Sequence, residues 1–165
     1  MFQLKKISKE NVAVALEKAE RYRLLNEPRL AESICLDILD VDPTNNKAVV
    51  VMLLAITDDF NSIPPSEVND AKQLLSRLQN EYEKLYYGGL ICERKGKSLL
   101  GKSIPDVDHI AYEWLVDAME LYEKAEKIRP AGNDDSILRW NTCARMIRRF
   151  HLKPRDEEFI EHQLE

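Results

Sequence analysis

The sequence predicts an all-α protein built of antiparallel helical hairpins, and three observations predict it. Apolar residues recur at helical spacing along nearly the whole chain, and no stretch alternates apolar and polar residues for long enough to make a strand. Prolines with short polar links cut the periodic stretches into helix-length pieces, at Asn26-Glu27 before Pro28, Asp42-Pro43, Pro64-Pro65, Arg129-Pro130 and Pro154. At 165 residues, 44% hydrophobic and 32% charged, the chain has the make-up of an ordinary globular protein that buries one continuous core. A single domain over residues 1–165 is the expectation.

The first helix, about Ser8 to Leu25, carries Val12, Ala15, Leu16, Ala19 and Tyr22 on one stripe, with Ser8 as its N-cap. Pro28 opens the second, which runs to about Val41 with Leu30, Ala31, Ile34, Cys35 and Ile38 inward and is ended by Asp42-Pro43. Asn45 or Thr44 caps a third through Val49, Met52, Leu53 and Ile56, closing near Asp59, and Ser66 caps a fourth. Between Glu67 and Lys95 the stripe drifts at Gln79-Asn80 and restarts at Tyr82, Leu85 and Gly89, which places a turn there and a fifth helix after it. A glycine-rich loop precedes a sixth helix, about Val107 to Ile128, with Ile110, Trp114, Leu115, Ala118, Leu121, Tyr122 and Ala125 on its apolar face. The seventh, about Asp134 to Phe150, presents Ile137, Trp140, Ala144 and Ile147, and a short cap with Phe159 and Ile160 comes after Pro154.

Composition narrows the function. With 24 Lys+Arg against 29 Asp+Glu, the net charge of -5 gives no global field for DNA or an anionic membrane. The longest apolar run, Val49 to Ile56, is under half of the roughly 20 residues a membrane-spanning helix needs. Lys5, Lys6, Lys9 and Glu10 stand where a secretory signal would have its apolar centre, so a cytoplasmic protein is expected. Cys35, Cys92 and Cys143 form no CxxC motif and no disulfide framework, and read as small apolar residues on inward helix stripes. Among His109, His151 and His162, only His162 with Glu158 has a spacing that offers two metal ligands from one helix face, and two ligands make a poor site. No metal and no cofactor is expected.

One motif points elsewhere. Gly96-Lys97-Ser98-Leu99-Leu100-Gly101-Lys102-Ser103 matches GxxxxGK[ST], the phosphate-cradling P-loop. That chemistry needs a buried strand before the loop and a helix opening at its final Lys-Ser, whose amides and dipole hold the phosphates. Here charged Cys92-Glu93-Arg94-Lys95 stands before it and Pro105 breaks the amide series just after it, so the reading is a flexible loop joining two helices, with nucleotide binding kept as a minor alternative.

Leu30-Ala31-x3-Cys35-x2-Ile38-x4-Pro43 and Asp117-Ala118-x3-Tyr122-x2-Ala125-x4-Pro130 resemble the second helix of the tetratricopeptide repeat, the second more closely. Ala19 and Tyr22, and Leu85, Gly89 and Cys92, match first helices less tightly. The resemblance covers about Asn11 to Arg149, with insertions at 59–65 and 96–106 that spoil the 34-residue period. It implies a right-handed solenoid in which Gly89 admits a neighbouring helix closely and the first helices line a concave groove. The groove positions it implies are Leu16, Glu20 and Arg23, then Lys47, Val50, Leu54 and Asp58, then Tyr86, Leu90 and Arg94, then Asn141 and Arg145. Leu16 and Glu20 stand where some members carry a lysine and asparagine clamp for a C-terminal carboxylate, which disfavours a chaperone-tail adaptor.

The expected function is therefore a non-catalytic interaction scaffold that holds a peptide segment or partner helix, with Val50, Leu54, Tyr86 and Leu90 as apolar anchors and Arg94 and Arg145 favouring an acidic partner. The alternative outside protein binding is a nucleic-acid-associated helical protein using the basic cluster Arg139, Arg145, Arg148, Arg149, His151, Lys153 and Arg155. Asp156, Glu157, Glu158 and Glu161 come directly after it and offset that cluster in part.

Overall fold

The computed structural model describes residues 2–61 and 66–155, with nothing described of the Ser66 side chain. Among them every regular element is helical: a 3-10 turn at Lys9–Asn11, then α1 (Val12–Leu24), α2 (Pro28–Val41), α3 (Asn46–Asp58), α4 (Ser66–Leu75), α5 (Glu81–Leu99), α6 (Val107–Lys127) and α7 (Asp135–Arg149). The chain divides into two compact units, Met1–Lys84 and Leu85–Glu165.

In the first unit α1 packs on α2, and α2 on α3. Ala19, Ala31, Cys35, Val51 and Ala55 form the shared core, with Leu16, Ile34 and Met52 against it. The helix joints obey local chemistry. After α1, Glu27 N–H donates to Tyr22 C=O (2.9 Å) and Asn26 N–H to Arg23 C=O (3.1 Å), while Asn26 takes φ 62°: a Schellman close with asparagine in the left-handed position. Pro28 occupies the first turn of α2, where a missing N–H costs nothing. Asn45 caps α3, its Oδ1 accepting from Ala48 N–H at 2.9 Å, and Asn80 does the same for Glu83 N–H at 3.2 Å near the start of α5.

Three first-unit expectations need correction. Ser8 makes no side-chain cap bond; a 3-10 turn intervenes before α1 begins at Val12. Tyr22 is 37% and Leu30 is 47% exposed, because they flank the reversal at Asn26, beyond the segment where α1 and α2 cover each other. The capping role expected of Ser66 lies outside the described side chains.

The second unit takes α5 from Leu85, α6 and α7 around a core of Cys92, Leu99, Ala111, Leu115, Ala118, Tyr122, Cys143 and Leu152. Two glycines set the approach of α5 to α6. A Cβ on Gly89 would lie 2.7 Å from Tyr122 Cε1, and one on Gly96 would lie 3.1 Å from Leu115 Cγ. Each glycine on α5 thus faces a large side chain on α6, and the order reverses between the helices, as antiparallel packing requires. Ala118, Tyr122 and Ala125 are fully buried, the face expected of them. On α7 the buried positions are Ser136 and Cys143, whereas Ile137, Trp140, Ala144 and Ile147 are only half-buried, so the inward stripe sits one position earlier than expected. The helix ends as α1 does: Leu152 N–H donates to Ile147 C=O (3.0 Å), His151 takes φ 53° and Leu152 is buried. The cap expected at Phe159 and Ile160 lies outside the described residues.

Candidate functional site

In the first unit the groove positions lie on α1 and α3, and these two helices touch. Arg23 donates from Nε to Asp58 Oδ2, tying the last turns of α1 and α3 together, with both side chains about three-quarters buried. Val50 and Leu54, one turn apart on α3, are half-buried, and Lys47 is exposed. Arg23 is therefore already matched by an internal carboxylate. The recess of about 720 Å³ bordered by α2, α3 and α4 is likewise self-neutralised. Arg29 on its wall reaches Glu32 (3.5 Å), Asp59 (3.0 Å) and Glu67 (3.1 Å).

In the second unit the predicted positions lie on α5 and α7 and divide into three groups. Leu90 is 1% exposed: it is core and offers a partner no surface, which corrects its reading as a groove anchor. Leu90 follows Gly89 by one residue and so lies about 100° around α5 from the face that meets Tyr122, and that side of the helix is buried as well.

Tyr86 is half-buried within a polar cluster. Its ring lies 5.9 Å from that of Tyr122 and 5.1 Å, edge-on, from that of Tyr87. Tyr122 Oη donates to Glu93 Oε2 at 2.7 Å, and Arg139 Nη1 donates to Glu93 Oε1 at 3.1 Å. Glu93 is 3% exposed, so both of its oxygens are used where water is excluded. Burial, then the Glu93 charge, holds the Tyr122 hydroxyl far above the ordinary tyrosine range. For Arg139 burial opposes the charge, but Glu93 and a hydrogen bond with Tyr86 outweigh it and keep the guanidinium above its ordinary value. This cluster fastens three helices through one carboxylate; every group in it is occupied by another.

The third group faces solvent. Asn141 and Arg94 are half-buried and Arg145 is exposed. Arg145 borders a recess of about 460 Å³ between the C-terminal turns of α5 and α7, lined by Lys97, Leu100, Thr142, Arg145, Met146, Arg149 and Phe150. Its floor is apolar and its charged residues are all basic. Sequence reasoning found Arg145 and grouped it with Arg149 in the basic cluster, but missed Lys97, Leu100, Met146 and Phe150 as their companions. The signal was present for α7, where Arg145 and Arg149, and Met146 and Phe150, are one-turn pairs. For α5 it was hidden, because the segment from Gly96 reads as loop.

The structure corrects that loop reading. Gly96 to Leu99 is the last turn of α5, and Gly96 is buried against Leu115 and Trp114. The motif thus runs from a helix into a turn at Gly101 (φ 76°), the reverse of the strand-to-helix order that a P-loop uses. Lys102 lies in that exposed turn and lowers the proton affinity of Lys95, after burial, which acts first.

Two members of the C-terminal basic cluster are paired: Arg139 holds Glu93 and Arg155 lies 3.6 Å from Asp106; the Lys153 backbone carbonyl is 2.9 Å from His109 Nδ1. Asp156, Glu157, Glu158, Glu161 and His162 lie outside the described residues. All three cysteines are buried and none forms a disulfide, and burial pushes the Cys35 and Cys143 thiols up to about 12. Among the described residues no three His, Cys, Asp or Glu side chains gather as a metal site, and no helix is long and apolar enough to cross a membrane. Comparisons with protein-family models, with curated proteins and with solved structures find no match to this chain.

Proposed function

We propose that this chain is a non-catalytic interaction module of tetratricopeptide-like helical hairpins that binds a linear peptide segment or partner helix. One observation carries the reading: two helices assigned to the groove from sequence, α5 and α7, border a surface recess with an apolar floor, and Arg145, assigned to the groove, is in its wall. The hairpin register supports it as well, since Ala118, Tyr122 and Ala125 are the buried face of α6 and Tyr122 covers Gly89. Three buried cysteines that form no disulfide suit a reducing, cytoplasmic setting. A mostly apolar recess of this size with a few placed polar groups has the form of a binding site.

The test is a screen of the full chain against a displayed library of random linear peptides, with winners mapped by amide hydrogen exchange. The reading expects enriched sequences that slow exchange in α3, α5 or α7. A screen without enrichment, or protection confined to the outer face of α6 around Glu113, Asp117 and Glu120, contradicts it.

A further inference from the structure

We infer that the recess between the C-terminal turns of α5 and α7 is the anchor site for an acidic peptide, one with a large apolar side chain flanked by carboxylates; this rests on the peptide-binding reading and names its place and chemistry. The lining is one-sided. Leu100, Met146 and Phe150 form an apolar floor, while Lys97, Arg145 and Arg149 supply three cations with no carboxylate among the lining residues. In a chain of net charge -5 that concentration runs against the overall balance. A second recess of that unit shows the contrast, since Glu123 and Glu126 line it together with Lys127 and Arg129.

Helix electrostatics accounts for two of the cations, because Lys97 and Arg149 stand in last turns, where positive charge complements exposed carbonyls. It does not account for Arg145. That residue lies a full turn earlier, is exposed and forms no ion pair among the described residues, so no described carboxylate requires its charge. Phe150 is similarly unspent. It is 45% exposed with the Arg149 guanidinium 5.8 Å from its ring centre, an aromatic surface at the rim beside a cation. The recess, about 460 Å³, accepts a large side chain or two, and the cations stand where flanking carboxylates would reach. A nucleic acid fits less well. It would need a run of unengaged cations and stacking platforms, whereas Arg139 and Arg155 are committed to Glu93 and Asp106.

The experiment is fluorescence anisotropy on the full chain with a short labelled peptide of Glu and Asp around a central Phe-Leu pair. Comparison probes carry Lys for the acids, or Gly-Ser for Phe-Leu, and a labelled single-stranded oligonucleotide is run beside them. The acidic apolar peptide should bind, and both peptide controls should bind at least about tenfold more weakly. Arg145→Glu should weaken it about tenfold or more at low salt, Phe150→Ala by a similar factor at every salt concentration, and Lys124→Glu on the exposed side of α6 should leave it unchanged. Both recess residues are exposed, so unaltered thermal melts accompany the loss. Preference for the oligonucleotide, or peptide binding indifferent to Arg145→Glu and Phe150→Ala, overturns the inference. In the second case the peptide-binding reading stands and the site lies elsewhere; if neither this peptide nor any library peptide binds, both fall.

Discussion

The Tyr122 ring occupies the space that a side chain on Gly89 would need: a methyl carbon placed there meets Cε1 at 2.7 Å and Cδ1 at 2.8 Å. Alanine at this position would favour the helix by about 1 kcal/mol, but overpacking costs about 1–3 kcal/mol, and a rigid, buried ring cannot swing away. Gly89→Ala should therefore lower stability by up to about 2 kcal/mol in urea titration. Gly96→Ala meets only the movable Leu115 and the Trp114 Cβ at 3.1–3.2 Å and should be close to neutral. In a Tyr122→Leu background the Gly89→Ala penalty should vanish, the coupling expected of touching residues.

Tyr122 also holds the buried Glu93. Tyr122→Phe keeps the ring and removes one charge-assisted hydrogen bond, so a loss of about 1.5–3 kcal/mol is expected. An unchanged denaturation midpoint would mean that Arg139 alone satisfies the carboxylate.

Alkaline pH should destabilise the fold in a defined window. The Cys35 and Cys143 thiols are raised from 9.0 to about 12 by burial, so the folded state holds protons that the unfolded chain releases earlier. Their contribution is complete below pH 9.0 and is lost as pH climbs toward about 12, and Tyr122 acts in the same direction. The urea midpoint should fall between neutral pH and the middle of that window. Below the window, all three buried cysteines should resist thiol reagents until the chain is denatured.

Limited proteolysis should report the true end of α5. Cleavage is expected between Leu100 and Asp106, outside regular helix and mostly exposed, and not between Gly96 and Leu99, whose backbone is helical. Lys102→Ala should leave nucleotide affinity unchanged, since the segment lacks the amide cradle. Micromolar ATP binding abolished by that substitution would contradict this.

His151 closes α7 in a conformation that glycine adopts without penalty. His151→Gly should raise stability by up to about 1 kcal/mol, because the left-handed position costs a side-chain-bearing residue about 1–2 kcal/mol and glycine's added unfolded-state freedom returns part of that. A lower melting temperature would show that the His151 side chain contributes more than its backbone strain removes.

The helices were legible because their boundaries are local. Pro28, Pro43 and Pro130 stop or start the ladder wherever the rest of the chain goes, and Asn45 and Asn80 cap from within the same turn. Gly89 was legible for a related reason, since glycine inside a strong helix pattern implies a close neighbour. What stayed hidden depended on pairing at a distance. Gly96 to Ser103 resembles a loop in composition, and only the position of Leu115 shows why glycine belongs inside that helix. Leu90 has the periodicity of a groove residue and is core, 1% exposed, which local spacing does not reveal. Glu93 and Arg139 are separated by 46 positions, and a charged residue in sequence carries no mark that its partner will bury it. The recess at Arg145 was hidden in part because Lys97 and Leu100 in its wall belong to the stretch that reads as loop.

A charge-swap cycle tests the central claim most directly. The full chain and its Arg145→Glu variant are titrated with the acidic Phe-Leu peptide and with its counterpart bearing Lys next to the apolar pair. If the peptide lies across the recess between α5 and α7, the variant loses affinity for the acidic peptide and gains it for the lysine peptide. The two substitutions together then recover binding that each alone weakens. Additive losses, with no recovery in the swapped pair, would contradict the account.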